Sequence, residues 1–327
     1  MKKQIKLVLT IKIIFSLTIL FISCPNLPRY YVALGDSVSS GYGLTLSEES
    51  HPSVFFDLIK DDDYVDYYEN MAVCGFTTTD LLEFLNNLET EELQILKNAH
   101  IITLNIGGNN VLIPFTNYMS RQKIVTGADT VVSGAEEIIS GASGIVSNVV
   151  DNVISGIGEM MAGVGNILIG TGEIIAGAPK VLSILSGSFS PELKDELEEG
   201  VQTFSNEFKS IITWIKKNAP KATIIVNTVY NPIPQRILGA SLEISIAVNL
   251  LIESINSIII QESKSMGYLV TDIYPHLSNQ LKLMRFYINP FSEEFSFDII
   301  HPNAEGHNLI AQLNYETFIK MHITHLD

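Results

Sequence analysis

Two cysteines in 327 residues leave this chain almost no sulfur chemistry. They are Cys24 and Cys74, too few for a thiolate metal site, and a lipid on Cys24 would rule out a disulfide as well. Positive charge is also scarce. Twenty Lys and Arg stand against 36 Asp and Glu, a formal charge of −16. A surface this acidic repels phosphate backbones, so nucleic acid is excluded as a natural partner. Charged residues make up only 17% of the chain and hydrophobic ones 46%, which describes a packed globular protein with a sizeable core. A Gly-x-Ser-x-Gly elbow is missing around Ser37, where the sequence reads GDSVS, and this argues against an α/β-hydrolase nucleophile turn.

The few lysines are unevenly spent. Lys2, Lys3, Lys6 and Lys12 precede a mostly apolar run from Ile13 to Ile22, and no acid lies among them. Basic then apolar is the pattern of an export signal, and the run is too short to span a bilayer comfortably. It ends in Phe21-Ile22-Ser23-Cys24, which resembles a lipobox. The expectation is a signal over 1–24 with Cys24 lipidated, giving an exported, membrane-anchored, extracytoplasmic lipoprotein. Plain secretion or an uncleaved anchor are the alternatives. Loss of residues 1 to 23 removes four lysines and no acid, taking the charge from −16 to −20.

From Tyr30 onward, short apolar runs alternate with longer amphipathic ones. Strands are expected at Tyr30 to Leu34, Tyr67 to Val73, Ile101 to Ile106, Thr223 to Val229 and Tyr268 to Ile273. Helices are expected at Val54 to Lys60, Thr79 to Lys97 (as one or two), Pro191 to Asn218 behind a Ser190 cap, Ser241 to Met266 and Asn303 to Met321. This alternation implies a parallel sheet covered by helices on both faces, with working residues beyond the carboxyl ends of the strands. Trp214 is expected to pack a helix face.

One segment breaks the rhythm. Residues 127 to 187 hold 12 of the 22 glycines, no aromatic residue and seven charges, six of them acidic. Apolar doublets from Ile138-Ile139 to Val181-Leu182 recur every seven residues with one step of eight, a helical period. The readings are a duplicated helical hairpin packed on the body, or an amphipathic lid or membrane-docking element. The regularly spaced acids argue against a transmembrane hairpin.

Chemistry-bearing residues sit at the strand ends. Ser37 follows the first strand, Gly75 the second and Asn109 the third, and Asp298 lies three residues before His301 near the C-terminus. A nucleophile, a base, an orienting acid and oxyanion donors are what acyl transfer needs. Gly35-Asp36-Ser37, Gly75, Gly107-Gly108-Asn109-Asn110 and Asp298-x-x-His301-Pro302 together resemble the four ordered blocks of the SGNH (GDSL-type) hydrolases. The likeness covers about residues 29 to 120 and 190 to 320. Val38 stands where that family has Leu, and Asn110 where it has Asp.

The resemblance implies a three-layer α/β/α, flavodoxin-like fold, with the hydrolase domain over 29–126 and 188–327 and the glycine-rich helical insertion over 127–187. It implies Ser37 as nucleophile, His301 as base, Asp298 as orienting acid, and Ser37, Gly75 and Asn109 as oxyanion hole. No metal or organic cofactor is required. The expected substrate is an acyl ester, with lipid favoured over acetylated cell-wall or surface glycan because of the apolar insertion. The membrane is an expected partner through lipidated Cys24 and the insertion. An inactive surface lipoprotein that binds membrane or a protein is the alternative of another class. Asp36 reads as a structural acceptor, Ser39 and Ser40 as turn caps, and His307 as a packing or surface residue of the closing helix.

Overall fold

The computed structural model describes residues 28–121, 191–232, 242–285, 287–289, 296–298 and 300–324. Cys24, the expected export signal, the expected 127–187 insertion, Ser190 and Ser241 lie outside the described residues.

Five strands form one parallel sheet: β1 (Tyr30–Gly35), β2 (Tyr67–Asn70), β3 (Ala99–Asn105), β4 (Thr223–Asn227) and β5 (Leu269–Thr271). Their order is β2-β1-β3-β4-β5. This is the flavodoxin-like order, in which neighbouring strands β1 and β3 send their following segments to opposite faces and open a crevice between them. The described helices are α1 (Ser37–Ser40), α2 (His51–Asp61), α3 (Thr78–Asn86), α4 (Thr90–Lys97), α5 (Gly108–Arg121), α6 (Pro191–Asn218), α7 (Leu242–Met266), α8 (Tyr274–Leu277) and α9 (Ala304–Thr324). A small antiparallel pair, β6 (Tyr287–Asn289) and β7 (Ser296–Asp298), precedes α9.

The central strands are buried on both faces, and period-two alternation divides their side chains between two cores. Val32, Leu34, Ile102, Leu104, Ile224 and Val226 face the larger one, with α3, α5, α6 and α7. Tyr31, Ala33, Ile101 and Ile225 face the smaller one, with Phe55 and Ile59 of α2 and Ala311 and Phe318 of α9. The α6 stripe Leu193, Leu197, Val201, Phe204, Phe208, Ile211 and Ile215 steps by three or four residues and is wholly buried. Each such side chain contributes roughly 1.5–3 kcal/mol by leaving water. Trp214, on the same helix, is partly buried against this core.

Several boundaries differ from the sequence expectation. The second strand stops at Asn70, where Ala72 N turns to the Asn70 side chain. The region after it splits into α3 and α4. Helix α2 begins at His51 with Pro52 in its first turn, a position where a missing N–H costs nothing.

Helix α5 has Pro114 in its interior. Proline has no N–H to return to the carbonyl four residues earlier, here that of Asn110, and its ring crowds that carbonyl. A Cβ at Gly200 of α6 would lie 2.0 Å from the same carbonyl oxygen, so glycine there lets α6 approach. Among the described residues no helix is long and apolar enough to cross a membrane.

Alanine in a helix ordinarily outperforms glycine by about 1 kcal/mol. At position 200 the sign should reverse: Gly200→Ala is expected to lower stability by about 1–3 kcal/mol through overpacking, read as a lower urea midpoint. An unchanged or higher midpoint would refute the close approach.

Candidate active site

Strand β1 ends in Gly35, whose φ is +136° and whose Cβ, were there one, would lie 2.1 Å from Asn105 O at the end of β3. Only glycine permits that approach. The next residue exploits it. Asp36 N donates to Asn105 O at 3.0 Å, and Asn105 Nδ2 donates to Asp36 Oδ1 at 3.2 Å. Asp36 Oδ1 also accepts Val38 N at 3.0 Å and so caps α1. Ser37 therefore opens a single helical turn that closes at Gly41, φ +76°.

His301 comes from the loop between β7 and α9. Its Nε2 lies 2.8 Å from Ser37 Oγ, and its Nδ1 lies 2.9 Å from Asp298 Oδ1. A carboxylate only accepts, so Nδ1 carries the proton and Nε2 accepts from the serine hydroxyl. Asp298 Oδ1 further accepts Ile300 N at 3.0 Å and His301 N at 3.1 Å. Burial pushes the Asp298 carboxyl up. The His301 hydrogen bond and charge and these two backbone donors outweigh it and hold the carboxyl below its ordinary value.

Two side chains that sequence reasoning missed complete this arrangement. Arg285 Nη1 lies 3.3 Å from Asp298 Oδ2, and the Arg285 backbone N donates to His301 O at 2.8 Å. The guanidinium occupies the space a Gly43 side chain would fill, which explains a glycine with φ +82° there. The Tyr42 ring centroid is 4.7 Å from that of His301. Neither lies in a recognisable motif. Behind the loop, Tyr230 donates its hydroxyl to Ile300 O at 2.8 Å.

Gly75 and Asn109 reach the same edge. Ser40 Oγ donates to Ser37 O at 3.0 Å and lies 3.1 Å from Cys74 Sγ, which sets the Gly75 turn beside the Ser37 turn. Gly75 has φ +83°, and the space its Cβ would enter is open. Asn109 Nδ2 donates one hydrogen to Phe76 O at 2.9 Å. An amide carries two, so the second is not used by that bond. A hydroxyl bonded to an imidazole whose other nitrogen faces a carboxylate is an arrangement suited to nucleophilic attack.

The family model of the GDSL-like lipase/acylhydrolase family matches residues 33–309, across all four motif blocks. The chain belongs to that family. This makes it a hydrolase of the carboxylic-ester class, in the α/β fold expected. Among solved structures it resembles a lipase from a goat-rumen metagenome at 16% identity and TM-score 0.52, covering 87% of this chain and 95% of that one. It also aligns with an extracellular lipase of Streptomyces rimosus (14% identity, TM-score 0.49, 88% and 99% covered). A phospholipase A1 of Streptomyces albidoflavus NA297 aligns comparably (16%, 0.47, 88% and 98%). At such identities the likeness concerns the fold alone. No curated protein matches the sequence.

Next to the Ser37 turn the hydrolase buries two more histidines. His51 N, in the first turn of α2, donates to His307 Nδ1 of α9 at 3.0 Å, and the rings stack at 5.7 Å. Ser39 is buried 3.5 Å from His51 Nε2, so it belongs to this joint rather than capping the turn. Burial, then the nearby His301, lowers His307 from 6.5 to about 4, and burial drives His51 well below 6.5 as well. Burial pushes Asp36 the other way, from 3.8 to about 6, against the bonds from Val38 and Asn105.

The signs oppose. As pH falls from 6.5 toward 4, the unfolded chain protonates His51 and His307 while the native state resists, and stability is lost. Between 6 and 3.8 native Asp36 takes up a proton before its unfolded counterpart, and stability is gained. Two histidines against one aspartate leave a net loss of stability as pH falls through the range where all three act. Thermal melting at pH 7, 6 and 5 should show stability falling, and His307→Gln should flatten the decline. A flat or rising wild-type profile would contradict this balance.

Proposed function

We propose that the hydrolase is an extracytoplasmic serine esterase that works through an acyl-enzyme on Ser37. The observation that carries this reading is the continuous hydrogen-bond chain Ser37–His301–Asp298. Ser37 Oγ attacks the ester carbonyl as His301 Nε2 takes the hydroxyl proton. Asp298, itself held by Arg285 and two backbone N–H groups, fixes the imidazole tautomer and stabilises its charged form.

The developing oxyanion is received by the N–H groups of Ser37 and Gly75 and the second amide hydrogen of Asn109. Each such donor is worth roughly 2.7–4 kcal/mol of barrier. When the tetrahedral adduct collapses, the imidazolium protonates the departing alkoxide. Water then repeats the sequence on the acyl-enzyme, releasing the acid and restoring Ser37.

The apolar, glycine-rich insertion favours a lipid ester, with Cys24 anchoring the protein at a membrane where such substrates lie. A second reading has its own support. A groove of about 640 Å³ between α3, α5 and α6 begins at Asn109. Among the described residues its walls include Thr77, Thr79, Glu196, Glu199 and Thr203 beside Ile113 and Pro114. The hydroxyl, amide and carboxylate groups along it offer partners to a hydroxyl-rich group, and hence to an acetylated glycan.

Ser37→Ala and His301→Ala should each cut kcat on p-nitrophenyl esters by roughly 10³-fold or more, and Ser37→Ala should abolish fluorophosphonate labelling. Activity surviving both changes would sink the mechanism. Rates rising from acetyl to longer acyl esters would favour lipid, and rates confined to acetyl would favour glycan. Cys24→Ala should move the protein from membrane to soluble fraction. Retention of that variant in the membrane would refute lipid anchoring.

A further inference from the structure

The segment carrying Gly75 is clamped from behind at consecutive residues. Asn109 Nδ2 donates to Phe76 O. Thr77 and Asp80 form a capping box at the start of α3, with Thr77 N donating to Asp80 Oδ2 at 2.8 Å. At the next residue, the Thr78 N–H donates to Asn110 Oδ1 at 3.2 Å, and Asn110 Nδ2 donates to Thr78 Oγ1 at 2.9 Å. Thr78 Oγ1 then donates to Glu207 Oε2 of α6 at 2.7 Å, and Thr79 Oγ1 donates to both Glu207 oxygens at 3.0 and 2.9 Å.

Proton counting makes the identities at 110 and 207 interdependent. The backbone N–H of Thr78 fixes the Asn110 oxygen on its side, so the amide nitrogen must face the hydroxyl. That hydroxyl has one proton, and Glu207, which only accepts, takes it. A carboxylate at 110 would set a second, separate carboxylate against the same hydroxyl, whose one proton would be left to divide between two like charges. Thr78 is fully buried and Asn110 is 5% exposed, so water is poorly placed to repair the mismatch. The single carboxylate of the cluster sits on α6 at 207, and position 110 accordingly carries an amide.

We propose that Asn110, Thr78 and Glu207 form a clamp that positions the Gly75 N–H as an oxyanion donor, with Asn110 and Glu207 a matched amide–carboxylate pair. None of the three touches the reacting atoms; they are positioning residues. The proposal rests on Gly75 being an oxyanion donor in the esterase reading. An oxyanion donor acts on the transition state more than on bound substrate, so a displaced one lowers kcat and spares KM.

The test uses the full-length protein and p-nitrophenyl acetate, with Asn110→Asp, Glu207→Gln and the double variant. Asn110→Asp should lower kcat by about tenfold or more with KM within about twofold. Glu207→Gln should lower it less. The double variant should recover a substantial part of the Asn110→Asp loss, because the hydroxyl again faces one carboxylate.

Recovery of kcat at constant KM supports the clamp. A double variant no better than Asn110→Asp, or Asn110→Asp with wild-type kcat, overturns it. If Asn110→Asp does not fold, Thr78→Val against Thr78→Ser decides in the same assay. A large kcat loss for Val with near-retention for Ser supports the clamp, and equal rates overturn it. Failure of the esterase reading is distinguishable, because Ser37→Ala would then be as active as the wild type.

Discussion

The architecture depends on how closely β1 and β3 run together at their carboxyl ends. Parallel pairing brings Leu34 beside Leu104 and Gly35 beside Asn105, and the absent side chain of Gly35 lets the Asn105 carbonyl come within reach of Asp36 N. Asp36 is thereby fixed to both strands and caps the turn that presents Ser37. A methyl group at 35 would separate the strands where chain direction, helix cap and the placing of Ser37 are all decided within three residues. The site is therefore a consequence of sheet register more than of loop conformation, and rigid elements place side chains more accurately than loops do.

His301 is positioned by independent means. It stands on a short loop between β7 and α9, and that loop is tied down polar group by polar group. Asp298 holds its backbone and ring, Arg285 its carbonyl, and Tyr230 the carbonyl of Ile300. The same Asp298 that orients the imidazole thus also shapes the loop that carries it. Burial would otherwise favour a neutral carboxyl, so the density of donors around Asp298 keeps it charged opposite His301. Arg285 adds the countercharge, and Gly43 supplies the room for it.

What the sequence made legible follows the same division. Features set by local chemistry and strand ends were readable: the five strands, the long amphipathic α6, and the strand-end motifs of Ser37, Gly75 and Asn109. The Asp298/His301 pair was readable because three residues separate its members. Tyr42 was not, since its partner His301 lies 301 − 42 = 259 residues on, and Arg285 was not, since nothing around it marks Asp298 as its partner even though they are 13 residues apart. The His51–His307 joint, its members 256 residues apart, was hidden for the same reason, and Ser39 joins it through His51, 12 residues on, a contact that no local spacing marks. The interior Pro114 argued locally against a continuous α5. The helix nevertheless runs through Pro114, and Gly200 leaves α6 room beside the Asn110 carbonyl that proline cannot bond, a tertiary fit that no local pattern announces.

The Asn110 departure shows why a motif letter is an incomplete description of a site. Read alone, Asn in place of Asp is the loss of a charge beside an oxyanion donor. Placed in the fold, it is one member of a hydrogen-bond cycle whose charge resides on Glu207, 97 positions away in sequence and on the helix that follows the insertion. Donor and acceptor counts balance around Thr78, because a buried hydroxyl tolerates one proton acceptor and one donor but not two acceptors. Helix α6 thus does two jobs beyond core packing. Its Gly200 admits the first turn of α5, and its Glu207 closes the hydrogen bonds behind the Gly75 segment. Any shift of α6 along its axis would be felt at both places at once, which couples this helix to the geometry of the candidate oxyanion hole.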